Sequence, residues 1–405
     1  MIAISMYENE EKIMPRRTKT NPASALSDCK PPSARMRLAW VILSFLCLIL
    51  MLWRAETANT YMKQGLQLCA QTVIPSLFPF MVVSELLVIS GGGEVLGKLL
   101  EKPIKTLFGI SGGGVCALLM GFVCGFPIGT KTAVSLCRRG QITQDELSRL
   151  ICICNIPGPA FLINTVGVSL FGSRRLGMLL YAACLLASLI TARLLRHTTA
   201  SPVSASSSPP QAAPAGNGVA CAITSAATSM LYVCAYVIFF GTLSGILGQL
   251  LYGAGIEQSQ IALLSGLLEL SGGITQATLI ENRTLALWIS ALLCGWSGFS
   301  VHLQVLSLCD HAAAHRGVDM LRYLFCKMLQ GIFSALLFGI ALWLSPASWF
   351  EACRAPVTHT ISENFSVDIS LKITVALIFL FLLQLIRYIL PRSDKGRNRM
   401  ISRPD

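Results

Sequence analysis

The stretch Met120-Gly-Phe-Val-Cys-Gly-Phe-Pro-Ile-Gly-Thr-Lys-Thr132 places Gly121, Gly125, Gly129 and Pro127 inside a long apolar segment. A plain membrane anchor is a smooth helix of Leu, Ile and Val. Glycine and proline free backbone groups that hydrocarbon cannot satisfy. Such a break is stable only where protein or a water-filled cavity takes over the hydrogen bonding. The segment is therefore expected to be a discontinuous helix lining a site.

Composition agrees with a chain dissolved in lipid. Of its 405 residues 53% are hydrophobic and only 13% charged, against about 25% charged in soluble domains. Mean hydropathy is +0.63. Apolar runs of membrane-crossing length recur, without the alternation of barrel strands. The expected fold is an all-α polytopic membrane protein with about eight transmembrane helices plus re-entrant segments. Membrane lipids are its implied surroundings.

The net charge of +12 is not a nucleic-acid signature. Arg16, Arg17, Lys19, Lys30, Arg35 and Arg37 precede the first apolar run, and Arg387, Arg392, Lys395, Arg397, Arg399 and Arg403 follow the last. This positive-inside pattern places both termini in the cytoplasm of a multi-pass protein of the cell membrane. The 15 cysteines lie mostly in apolar runs and include no CxxC pair. They read as small buried hydrophobes, with no metal and no other cofactor implied.

The chain divides into a polar tail (1–35), a first membrane half (38–196), a Ser/Pro-rich linker (197–219), a second membrane half (220–344), an extracytoplasmic loop (345–369), a last span (370–390) and a basic tail (391–405). Leu66 to Ser90 is apolar but broken by Pro75 and Pro79, Leu150 to Phe171 by Asn155-Ile-Pro-Gly-Pro159, and Leu285 to Cys309 by Gly295 and Gly298. If Leu66 to Ser90 and Ile261 to Ile280 are re-entrant hairpins, the basic loops at Arg138-Arg139, Arg193 and Arg316 all face the cytoplasm, and Arg174-Arg175 fall outside. If either crosses fully, the halves become inverted repeats. Gly125-Phe-Pro and Gly298-Phe-Ser each sit late in a broken run, as paired sites in two repeats would.

Several residues are candidates for lining a solute site. Glu85 and Glu269 are acids within apolar stretches, where an ionisable group faces a cavity or a partner. Each is either a contact for substrate, cation or proton, or a structural acid paired with a helix N-terminus or with Lys131. Asn155, Pro157 and Gly158 combine an amide that donates and accepts with a run of freed carbonyls, and Pro159 belongs to the same break. Gly125, Pro127 and Gly129 line the first break and Gly272 the Ser271-Gly-Gly273 break. His302 and Gln304 are polar residues of the last broken run, two apart and so on different faces of a helix. No nucleotide-binding loop, metalloprotease motif or Gly-x-Ser-x-Gly occurs, and the chain reads as no enzyme.

Six pieces occur in order: Pro75-Ser-Leu-Phe-Pro-Phe80, Met120-Gly-Phe-x-x-Gly-Phe-Pro-x-Gly-Thr-Lys131, Gly140-x-Ile-Thr-x-x-Glu146, Asn155-x-x-Gly-Pro-x-Phe161, Gly266-x-x-Glu-x-x-x-Gly273 and Gly298-Phe-Ser-Val-His-x-Gln304. Together they resemble the YlbJ-type sporulation integral membrane proteins, which are similar to tandem Gate, or nucleoside-recognition, domains. The resemblance implies two Gate-like repeats and a role in endospore formation, around cortex assembly, in a sporulating bacterium. Two functions are compatible with it. One is a permease or pore for a small polar solute. The other is a non-transporting scaffold that organises other sporulation membrane proteins.

Overall fold

A computed structural model describes residues 34–195, 218–310 and 319–345. Outside these lie most of the polar tail, nearly all of the Ser/Pro linker, Arg316, and everything after 345, including the expected last span and both basic ends.

The described residues form helices joined by short turns and breaks, with no strand among them. In chain order the helices are α1 (Ala34–Trp53), α2 (Ala55–Leu68), α3 (Ile74–Ile89), α4 (Gly92–Phe108), α5 (Gly112–Cys124), α6 (Ile128–Arg138), α7 (Gln144–Ile153), α8 (Ala160–Leu170), α9 (Arg174–Leu195), α10 (Gly218–Gly253), α11 (Gln258–Leu268), α12 (Leu270–Ala277), α13 (Arg283–Trp296), α14 (Phe299–Asp310) and α15 (Met320–Leu344). By length and apolarity, four helical segments can cross a membrane: α9, α10, the α13–α14 run and α15. Two bent pairs, α1 with α2 and α4 with α5, raise the count to six. The expected fold class holds, and among the described residues the number of spans is four to six.

The cores draw on both sequence halves. One apolar cluster joins Ile110, Leu136, Leu147 and Ile151 of the first half to Val305, Cys309 and Tyr323 of the second. A second joins Leu162, Leu176 and Leu180 to Ile274, Leu293 and Phe338. The two long helices α9 and α15 contribute to both clusters, so they tie the halves together. Outward, α1 presents Leu38, Ile42, Phe45, Ile49 and Leu52, all more than half exposed, as a helix facing lipid would.

Several local signals are met. Thr143 accepts from the Glu146 amide at 3.2 Å and so opens α7, as Thr-x-x-Glu spacing requires. The Glu146 carboxylate then reaches away from its own helix. It accepts from the Ser111 amide at 2.6 Å and the Ser111 hydroxyl at 2.9 Å, and so closes the N-terminus of α5. Asn282 and Asp319 cap α13 and α15 through the amides of Leu285 and Arg322.

Two expectations differ. Pro75 and Pro79 do not interrupt their run: the chain passes through a wide π turn at Cys69–Val73 straight into α3, with Pro75 in its first turn and Pro79 inside it. A proline in the first turn forfeits no helical bond, and a π turn absorbs the crowding. Leu66 to Ser90 is accordingly not a hairpin. The sharp bend of 83° lies between α4 and α5 instead, at Gly109, which adopts φ 68°. The Ile261 to Ile280 segment is a folded-back pair. Gly266 of α11 and Gly273 of α12 meet backbone to backbone, so that a Cβ on Gly273 would fall on the Gly266 Cα.

Candidate functional site at the crossing of four broken segments

The first break lies at Gly125-Phe-Pro127 between α5 and α6, where Gly125 adopts φ 82°. It meets the break between α7 and α8 directly. The Phe126 amide donates to the Ile156 carbonyl at 2.8 Å. A Cβ at Gly125 would collide with the Gly158 amide nitrogen, and a Cβ at Gly121 with the Cys154 carbonyl oxygen. At Gly129 it would lie 2.5 Å from that same oxygen and 2.6 Å from the Gly121 Cα. The glycines spaced four apart therefore let two backbones touch. Gly125 and Gly129 serve that packing rather than facing a cavity. Gly121 lies inside α5, one turn before the break.

Helix α15 covers the carbonyls that the α7–α8 break frees. Lys327, wholly buried, donates from Nζ to the Asn155 carbonyl at 2.7 Å and to Gln330 Oε1 at 2.9 Å. Gln330 Nε2 in turn donates to the Cys152 carbonyl at 2.7 Å. Asn155 Nδ2 donates to Tyr323 Oη at 2.7 Å, and His302 Nδ1 lies 3.0 Å from that oxygen. The Trp296 ring sits edge-on to His302 at 4.5 Å. Asn155 and His302 thus belong to a packed polar network. Tyr323, Lys327 and Gln330 carry it and are not among the residues expected from sequence. A signal was present: the three lie four and three residues apart, on one face of a largely apolar helix.

The second half repeats the arrangement with different chemistry. Between α11 and α12 the chain is extended at Glu269, with φ −143° and ψ 124°. The Glu269 carboxylate accepts from the Ser271 amide at 3.0 Å and the Gly272 amide at 2.7 Å. It caps α12, whose first-turn amides and dipole favour an acidic acceptor there. Gly272 holds this cap, with the Ser244 hydroxyl 3.0 Å from where its Cβ would be. Between α13 and α14, Ser297 and Gly298 are left-handed at φ 79° and 86°. The break thus falls at 297–298, with Gly295 still helical. A Cβ on Gly298 would lie 3.2 Å from the Gly266 carbonyl oxygen and the Leu270 nitrogen, so this break packs on the Glu269 break.

All four broken segments contribute to the wall of one cavity of about 360 Å³, lined among others by Cys124, Phe126, Gly158, Glu269, Ser300 and Gln304. Pro75, Asn164 and Thr165 also line it. A second cavity, of about 470 Å³, lies beside Glu85, Pro127, Lys131, Ser225 and again Gln304. There Lys131 Nζ lies 3.2 Å from Glu85 Oε1, with both side chains about nine-tenths buried. Ser225 Oγ donates to the same carboxylate oxygen at 3.0 Å. Pro157 is buried in the first crossing, and Pro159 leads into α8. Among the described residues no three His, Cys, Asp or Glu side chains come together to hold a metal ion.

A curated Bacillus subtilis protein named sporulation integral membrane protein YlbJ is 29% identical over 344 residues, which is 76% of this chain and 82% of that protein. The chain is similar to YlbJ. The resemblance read from the six ordered motifs is thereby borne out. No family model matches the chain. A solved CNTnw variant in an outward-facing state overlaps with a TM-score of 0.46 at 16% identity, covering 78% of this chain and 87% of that one.

Proposed function

We propose that the chain is a permease or pore for a small polar solute that acts in endospore formation, around cortex assembly. The observation that carries this reading is the single cavity to whose wall four broken segments contribute, two from each half. Broken backbone at membrane depth is costly, and paired breaks from two halves around one cavity are the arrangement by which many transporters bind and release cargo. The name of the Bacillus subtilis relative supplies the sporulation context. In this reading both termini are cytoplasmic, the two halves are Gate-like repeats, and lipids and other sporulation membrane proteins are the partners. No nucleic acid, cofactor or bond-making chemistry is involved.

One observation favours the scaffold reading instead. Glu269 already has both oxygens engaged by amides of α12, so its burial requires no solute. Liposomes containing the full chain and loaded with a bacterial small-molecule extract decide between the two. The permease reading expects selective, time-dependent loss of some polar components, and expects Thr165→Trp, which projects into the cavity, to stop it. Retention of every component by the unaltered protein overturns the permease reading in favour of the scaffold.

A further inference from the structure

The larger cavity has a wall chemistry of its own. Four helices enclose it: α3 with Glu85, α6 with Lys131, Arg138 and Arg139, α10 with its hydroxyl row, and α14 with Gln304. Among the described residues that line it, Lys131, Arg138 and Arg139 are basic and Glu85 is acidic. Lys131 is an ammonium with three donors, and among the described residues Glu85 is its partner. Its Nζ is buried and, among the described residues, has no hydrogen-bond acceptor beyond that ion pair. A buried cation with spare donors is costly unless such an acceptor arrives.

The hydroxyl row has the opposite demand. Ser225 donates to Glu85 Oε1, Thr228 to the Thr224 carbonyl and Ser229 to the Ser225 carbonyl. Each hydroxyl proton is committed, so what these oxygens offer the cavity is acceptor capacity. Gln304 points the same way. It is only 3% exposed, its Nε2 donates to Ser300 Oγ at 3.3 Å, and its Oε1 is a buried acceptor without a donor. An orphaned buried acceptor costs about 1–3 kcal/mol. The cavity therefore presents cationic donors on one side and acceptors awaiting hydroxyl donors on the other.

We propose that this cavity binds a small hydroxylated anion, a soluble molecule carrying a carboxylate or phosphate oxyanion for Lys131 and hydroxyl groups for Gln304 and the α10 hydroxyls. The proposal rests on the permease reading and names its solute class. Gln304 also lines the smaller cavity, so the molecule is handed on past that side chain. The volume of about 470 Å³ is within the range of small-molecule sites.

The test uses the purified full chain in phosphatidylcholine nanodiscs, with thermal unfolding as readout at matched ionic strength. The probes are glycerol 3-phosphate, inorganic phosphate, glycerol and chloride. Glycerol 3-phosphate is expected to raise the unfolding midpoint with a saturating dose response, and glycerol and chloride are expected to have no such effect. The paired variant Glu85→Gln/Lys131→Met removes both charges without stranding either, and is expected to weaken binding about tenfold or more. Gln304→Leu is expected to erase the preference over inorganic phosphate. Equal responses to chloride and glycerol 3-phosphate, or an unchanged response in the paired variant, overturn the proposal. Phosphatidylglycerol carries the same chemistry in a lipid headgroup. If adding it to the nanodiscs abolishes the glycerol 3-phosphate response, a lipid is the occupant and the soluble-anion proposal falls. Binding without flux in liposomes would reject the permease reading and leave the site standing. Flux without binding would do the reverse.

Discussion

Glu85 and Glu269 occupy near-equivalent sequence settings, an acid within a run of Leu, Val and Ser, yet the fold neutralises them by different physics. Glu85 is met from outside its own helix, by the Lys131 ammonium at 3.2 Å and the Ser225 hydroxyl at 3.0 Å. Glu269 is met from within, by two amides of the helix that starts at its own residue. The first solution requires three helices to hold register, since an ion pair out of water is favourable only with good geometry and a full set of partners. The second is local, because the break that exposes the amides also creates the acceptor that caps them. Glu85 is thus coupled to how α3, α6 and α10 pack around the larger cavity, whereas Glu269 stabilises the crossing of the smaller one.

The largest expected effect follows from breaking the distant pair on one side. Lys131→Met leaves a buried carboxylate with one hydroxyl donor and should cost about 3–5 kcal/mol, read as a lower unfolding midpoint and lower yield in the membrane. Glu85→Gln/Lys131→Met should recover most of that loss. If the single and paired variants unfold alike, Glu85 is not neutralised by Lys131. Next comes the local cap. Glu269→Ala orphans two amides and should cost about 1–2 kcal/mol, and Glu269→Gln, which keeps an acceptor, should cost less. A loss for Glu269→Gln as large as that for Lys131→Met would show that the Glu269 charge has a partner other than the α12 amides. The smallest effect is the exposed pair Glu101–Lys105, 3.6 Å apart and one helical turn from each other. Glu101→Gln should change stability by no more than about 0.5 kcal/mol and only at low salt, which calibrates the other two.

The sequence carried the breaks themselves, because glycine and proline act on the backbone at the position where they occur. The pairing of Gly125-Phe-Pro with Gly298-Phe-Ser corresponds to two break residues with positive φ, at 82° and 86°. What could not be read was which side of the backbone each break presents. Gly129 packs on Cys154 instead of opening to a cavity, and that follows only once α6 and the α7–α8 break lie in contact. Lys327 escaped notice for a similar reason. A lysine in the second turn of an apolar helix, near Arg322, reads as one that reaches for the interface, and only the covering of the Asn155 carbonyl by α15 gives it a buried acceptor. Pro75, a residue type that usually ends a helix, is carried by the π turn and its first-turn position, whereas Pro79 lies inside α3.

The permease reading requires the four broken segments to enclose a water-filled cavity at membrane depth. Helix α8 offers an internal control, because Thr165 lines that cavity while Val168, on the same helix, is 47% exposed on the outer surface. With the chain in liposomes, Thr165→Cys and Val168→Cys are each treated with a small charged thiol reagent. A thiol reacts as its thiolate, which water supports and hydrocarbon does not. The account predicts rapid labelling at 165 and almost none at 168, despite the greater geometric exposure of 168. Labelling at 168 with none at 165 would contradict it.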